Sequence, residues 1–120
     1  MNDSRYQEDL DYLYSLTHSG IKLGLHNTSR LLQYFDNPQL GIRTIHIAGT
    51  NGKGSTAAIT ESILRAAGLN TGLYTSPHLL DFRERIQINR NLIEKHDVTR
   101  LILKIKSAVE KLDIPVTFFE

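Results

Sequence analysis

Apolar residues recur at helical spacing near the start of the chain. Tyr6, Leu10, Leu13, Tyr14 and Leu16 share one stripe, and Ser4 is placed to cap the helix they predict. Gly20 and Gly24 punctuate the loop THSGIKLGLHN, after which a cap at Thr28 or Ser29 opens a short helix through Phe35. Asn37-Pro38 ends it, because the residue before a proline is pushed out of the helical region. Residues 43–48 (RTIHIA) read as a buried strand: Ile45 and Ile47 are β-branched, and His46 is expected to pack within it. Residues 55–67 form a helical pattern with Ile59, Ile63 and Ala67 on one face, and Gly68 stands where a C-terminal glycine belongs. Residues 71–75 (TGLYT) predict a second strand. Residues 84–89 (ERIQIN) with Leu92-Ile93 suggest a hairpin around Arg90-Asn91. Asp97 then caps an amphipathic helix marked by Leu101, Ile102, Ile105, Ala108, Val109 and Leu112, and residues 115–119 (PVTFF) predict a third strand.

Strand, helix, strand, helix, strand is the order of a right-handed parallel α/β sheet with helices on both faces. Three strands are few for such a domain, and the third stops at Glu120 with no helix after it to cover it. The chain therefore reads as truncated, with residues 1–120 the N-terminal part of a larger domain.

Charge and composition narrow the classes of function. The 14 basic residues nearly cancel the 13 acidic ones, leaving a net charge of +1, so no whole-chain field attracts nucleic acid. No cysteine is present, which excludes disulfides, thiolate metal sites and a cysteine nucleophile. No apolar run approaches the roughly eighteen residues of a membrane span. The opening MNDSRYQEDLDYLY has acids where a secretory leader places basic residues. A cytoplasmic location is the default expectation.

Glycine occurs 8 times in 120 residues, yet three fall within positions 49–54, in HIAGTNGKGST. Such a cluster between a strand and a helix is explained by a backbone that must approach an anion: glycine allows positive φ and removes the Cβ atoms that would hold phosphate oxygens away. The following helix adds unpaired N–H groups and the positive end of its dipole, worth about 0.3–1 kcal/mol, too little alone to hold a nucleotide. Lys53 and converging amides must supply the rest. Residues 48–56 are thus a phosphate-binding loop, with Thr50, Asn51, Gly52, Lys53, Gly54, Ser55 and Thr56 as the ATP-binding set and Lys53 as the catalytic charge. The loop departs from the Walker A pattern, which puts five residues between its first glycine and the lysine. Here Gly49 and Lys53 are separated by three, and Gly54 intervenes before the hydroxyl residues.

GTNGKGS resembles the variant loop of the Mur-ligase superfamily. Three blocks together resemble the folylpolyglutamate synthase/dihydrofolate synthase family: GIKLGL at 20–25, HIAGTNGKGST at 46–56, and GLYTSPHL at 72–79 running on to Glu84-Arg85-Ile86. The resemblance covers nearly the whole chain. It implies a P-loop NTPase-like domain of the Mur-ligase central type and an ATP-dependent, amide-forming ligase. In that chemistry ATP phosphorylates a substrate carboxylate, and the amino group of L-glutamate attacks the acyl phosphate. The implied substrates are dihydropteroate or folate, L-glutamate and ATP, with Mg²⁺ as cofactor, no nucleic acid or membrane partner, and a monomer when complete.

By the same resemblance Ser76, Glu120 and Ser55 are metal ligands, and Lys22, Leu23, Gly24, Ser76, Pro77, His78 and Phe82 contact the substrate. On their own chemistry these residues have plainer readings. Ser76 is a turn serine before proline, Glu120 a solvated terminal carboxylate, Lys22 a loop lysine and His78 a partly buried loop histidine. Arg83, Glu84 and Arg85 read as a charged strand entrance. The family's C-terminal domain would lie beyond residue 120, so the chain alone is expected to show no turnover. A Mur-type ligase for nucleotide-linked cell-wall precursors, or a non-catalytic nucleotide-binding module, are the other readings of the loop.

Overall fold

The computed structural model describes residues 3–19 and 24–120. Its elements are α1 (Asp3–Ser15), α2 (His26–Tyr34), α3 (Lys53–Ala66), β1 (Gly72–Tyr74), β2 (Ile86–Ile88), β3 (Asn91–Leu92) and α4 (Lys95–Leu112), with short 3-10 turns at Leu16–Ser19, Pro38–Gly41 and Phe82–Arg85. They divide into two compact units: Met1–Arg43 with His96–Glu120, and Thr44–Lys95.

The first unit has an apolar core. Leu31, Ala108, Ile114 and Val116 are buried together, with Leu16, Phe35, Val109 and Leu112 packed against them. Tyr6 and Leu10 of α1 are buried as their spacing predicts. Ser4 lies inside α1 rather than capping it, and α2 starts ahead of both expected caps, with Leu25 in the cap position. After Tyr34 the chain turns through Asp36 and Asn37, both left-handed (φ 59° and 51°), before Pro38, so the helix stops where the proline requires. In α4 the buried line runs through Val98, Thr99, Ile102 and Ala108, which turns the expected Leu101 and Ile105 to the exposed side.

Residues 115–119 are not a strand. They are buried at Val116 and Thr117 but tied down by side chains: the Asn27 amide donates to the Pro115 carbonyl (3.0 Å), Tyr14 stacks on Phe118 (centroids 5.8 Å apart), and the Thr117 N–H donates to the Glu120 carboxylate (2.8 Å). The Arg30 guanidinium meets the Leu112 carbonyl (3.1 Å) and so satisfies an orphan acceptor at the end of α4.

In the second unit the sheet runs β1-β2-β3 and is antiparallel, with Gly72 opposite Ile88 and Gln87 opposite Leu92. The expected parallel order is therefore not what these strands make. A parallel pair here would need β1 beside residues 43–48, and no strand is assigned there among the described residues; Ile45 is 61% exposed and His46 is exposed too. β1 instead reaches β2 through a loop with no α-helical crossover, the connection that antiparallel pairing allows. The hairpin turn is centred on Asn89-Arg90, one residue earlier than the sequence suggests. Both have positive φ (48° and 69°), as a type I′ turn demands.

What joins α3 to this sheet is polar. Ile59 and Ile63, the expected packing face, are 62% and 64% exposed, whereas Glu61 is only 4% exposed. Its carboxylate accepts from the Thr71 hydroxyl (2.7 Å), Arg65 (3.0 Å) and Arg90 (3.1 Å). The Thr71 hydroxyl does most to hold the Glu61 carboxyl below its ordinary range. Burial opposes it, and the two arginines add to the lowering. Arg90 in the left-handed turn position thus has a reason to be there: its guanidinium reaches Glu61.

Candidate nucleotide and substrate site

The phosphate-loop reading has its geometry in the second unit. Gly52 is left-handed (φ 76°) and stands at the cap of α3 without a side-chain cap, so glycine is required there by the backbone itself. Thr56 is the residue whose N–H returns to the Gly52 carbonyl (2.9 Å). The amides of Lys53, Gly54 and Ser55 ahead of it have no intrahelical acceptor, as for any helix start. A Cβ at Gly54 would meet no protein atom within 4 Å. The absence of a side chain there leaves room for something outside the fold to approach the amides. Thr50, Asn51, Ser55 and Thr56 are all exposed around this opening.

Lys53 closes the loop on itself. Its Nζ donates to the carbonyls of Gly49 (2.6 Å) and Thr50 (3.3 Å), which holds the ammonium over the glycines. A bound anion would compete with two neutral carbonyls for that charge, and charge-assisted bonds are the stronger kind.

The loop between β1 and β2 carries the second cluster. Ser76 and Pro77, joined by a cis peptide bond, are exposed. Beyond them His78 and Phe82 come together edge to face (centroids 6.1 Å apart). Arg85 donates to His78 Nδ1 (2.8 Å) and lies 5.9 Å from the Phe82 ring centroid. His78 and Phe82 thus form one aromatic group with a cation on it, a surface suited to a flat ring.

Glu84, taken from the sequence as part of a charged strand entrance, organises the loop. Its Oε1 accepts from the N–H groups of Leu80 (2.8 Å) and Asp81 (2.7 Å), and its Oε2 from that of Leu79 (2.9 Å). The Leu79 amide does most to hold its carboxyl below the ordinary range, followed by those of Asp81 and Leu80. Asp81 reciprocates by accepting from Arg83 N (2.9 Å), completing a capping box. The signal was legible: an acidic residue with glutamate three positions on is the sequence form of that box.

Other expected residues lie elsewhere. Lys22 and Leu23 are outside the described residues, and Gly24, exposed with φ 115°, belongs to the first unit. Of the expected metal ligands, Ser55 and Ser76 share the second unit, whereas Glu120 belongs to the first and engages Thr117. Among the described residues, no group of three or more acidic, histidine or cysteine side chains could hold a metal ion. A surface concavity of about 430 Å³ in the first unit is lined by Tyr34, Phe35, Leu103, Lys104 and Ser107, none of them an expected site residue.

No family model matches the chain. Individual proteins do. The dihydrofolate synthase/folylpolyglutamate synthase of Bacillus subtilis is 39% identical over 108 residues, 90% of this chain and 25% of that protein. The folylpolyglutamate synthase of Lacticaseibacillus casei is 39% identical over 121 aligned positions, 96% of this chain and 28% of that protein. The crystal structure of folylpolyglutamate synthase from Thermotoga maritima superposes with a TM-score of 0.84 at 42% identity, covering 94% of this chain and 26% of the other. The chain belongs to the folylpolyglutamate synthase/dihydrofolate synthase family. It spans about a quarter of the length of these relatives. A folylpolyglutamate synthase structure in complex with AMPPCP matches at a TM-score of 0.86 and 36% identity, over 99% of this chain and 29% of that one. Another holds AMPPCP and folate together (TM-score 0.81, 38% identity, 99% and 30%). The family thus includes proteins seen with a nucleotide and a folate at once. Among the described residues of this chain no helix is long and apolar enough to cross a membrane.

Proposed function

We propose that residues 1–120 are the N-terminal part of the ATP-binding domain of a cytoplasmic ligase that adds L-glutamate to dihydropteroate or folate. The observation that carries this reading is the loop at the start of α3, where Lys53 is held over left-handed and unobstructed glycines. In the reaction a substrate carboxylate oxygen attacks the γ-phosphorus of ATP, ADP leaves, and an acyl phosphate forms. The glutamate amino group then attacks the acyl carbon, phosphate departs, and the amide remains.

The amides of Lys53, Gly54 and Ser55 bind the phosphate oxygens, and Lys53 exchanges its two carbonyl partners for the β/γ-phosphates. This arrangement works by positioning and charge neutralisation rather than by covalent catalysis. Thr50, Asn51 and Thr56 complete the cradle. His78 and Phe82 offer an aromatic surface to the pterin ring, with Ser76 and Pro77 just before them in sequence.

Ser55 and Ser76 present hard hydroxyl oxygens, which fit Mg²⁺ only in company with phosphate oxygens and water, the coordination that ion prefers. Magnesium bound there would neutralise charge on the transferred phosphoryl group.

Titration of the chain with Mg-ATP tests the reading. The amide resonances of residues 51–55 should shift, and Lys53→Ala should weaken binding about 100-fold, as the loss of two charged hydrogen bonds implies. A full-length ligase should release phosphate only when ATP, a pteroate-type acid and glutamate are all present. Phosphate release indifferent to the pterin would sink the folate assignment.

A further inference from the structure

Glu84 is the only acidic side chain among the described residues shown accepting from three backbone amides, and those amides are consecutive: Leu79, Leu80 and Asp81. Three successive N–H groups converging on one point form a nest, the backbone arrangement that elsewhere receives an external anion. Here the chain fills the nest with its own carboxylate. The side chains of the first two residues of that run, Leu79 and Leu80, are 89% and 95% exposed. The same residue anchors the loop to the sheet: its carbonyl accepts from the Thr75 hydroxyl (3.4 Å) and the Gln87 amide (3.2 Å). The Glu84 carboxylate thus holds the backbone between His78 and Phe82, while its backbone carbonyl meets residues on either side of the loop.

We propose that Glu84 is the positioning residue of the substrate loop: its two carboxylate oxygens fix the 79–81 backbone so that His78, Leu79, Leu80 and Phe82 present a preformed apolar and aromatic surface to a flat heteroaromatic acid. The proposal rests on the reading of this loop as the pterin-contacting segment. Preformed loops bind more tightly because less ordering entropy is lost on binding. Both oxygens are needed as acceptors, Oε1 for two amides and Oε2 for the third. Glutamine keeps one acceptor and turns an N–H₂ group toward an N–H. Aspartate keeps both acceptors but sits one methylene short.

The test compares dissociation constants of the chain for pteroic acid and for Mg-ATP, followed by amide shifts, in wild type, Glu84→Gln and Glu84→Asp. Glu84→Gln should raise the pteroic acid constant about tenfold, Glu84→Asp less, while Mg-ATP binding stays within about twofold in both. Equal weakening toward both ligands, or no weakening toward pteroic acid, overturns the positioning role and leaves the ligase reading standing. A wild-type chain that binds Mg-ATP but ignores pteroic acid overturns both. Hydrogen exchange needs no variant: the Leu79, Leu80 and Asp81 amides should be protected at neutral pH and lose that protection as acid titrates Glu84. The charged neighbours in that experiment are Asp81, His78, Arg83 and Arg85. Unprotected amides at neutral pH would refute the nest.

Discussion

The two units of this molecule are held together by different physics. Every buried hydrophobic side chain among the described residues lies in the first unit: Tyr6, Leu10, Leu31, Val98, Ile102, Ala108, Ile114 and Val116. In the second unit the buried residues are Glu61 and Thr71, bonded to each other, while Ile45, Ile59, Ile63, Tyr74 and Ile88 are exposed. The first unit removes apolar surface from water by itself. The second, which carries the glycine-rich loop, is tied by charge and hydrogen bonds and leaves those apolar residues exposed. Apolar periodicity in a sequence records which face can be buried, and it is silent on whether the burying partner lies in the same stretch of chain.

The comparison breaks most visibly at Leu31. It sits in the first unit's core against Ala108, Ile114 and Val116, so Leu31→Ala should cost about 2–5 kcal/mol by lost transfer energy and the cavity left behind. Denaturant unfolding measures it. A cost near zero would mean that this core does not close as described.

The second unit should instead respond to protons. Glu61 is held below the ordinary carboxylate range chiefly by the Thr71 hydroxyl. The stabilisation it contributes is present in full above the unfolded value of about 4.3 and is lost as pH falls through the lower folded value. Glu61→Gln keeps the shape but cannot pair with Arg65 and Arg90 as an anion. Amide protection in β1 and β2 should be lower in this variant at neutral pH and should fall less on acidification than in wild type. Glu84 and Asp97 are also held low, so some acid sensitivity remains in the variant. Protection indifferent to the substitution would show that the hub does not tie α3 to the sheet.

What the sequence disclosed follows the same division. Helices were legible because their signals are local: Pro38 stops α2, and Gly68, left-handed at φ 85°, follows α3. The glycine-rich turn into α3 was legible for a similar reason, since the glycines state a backbone requirement, met by the left-handed Gly52, that no partner need complete. The expected strands at 43–48 and 115–119 are not assigned, because a strand is defined by its neighbour and the pattern names none. Glu61 escaped notice because a lone glutamate in a helix is normally solvated, and its partners Thr71 and Arg90 are distant in sequence. Arg90 was placed in the hairpin turn from the sequence, but the reason for an arginine there was not readable: I′ turns favour asparagine and glycine, and the ion pair to Glu61 appears only in the structure.

The smallest expected effect is the sharpest check on the comparison. Ile63 lies on α3 with most of its surface in water. Serine and isoleucine have similar helix propensity, so Ile63→Ser should change the stability of the chain by no more than about 0.5 kcal/mol. The same substitution in a core position would cost several times that. A large cost, measured by the same denaturant unfolding as for Leu31→Ala, would show that the α3 face is covered in solution. Repeating it across chain concentrations separates the sources: a cost that grows with concentration comes from a second copy, and one that does not comes from within the chain.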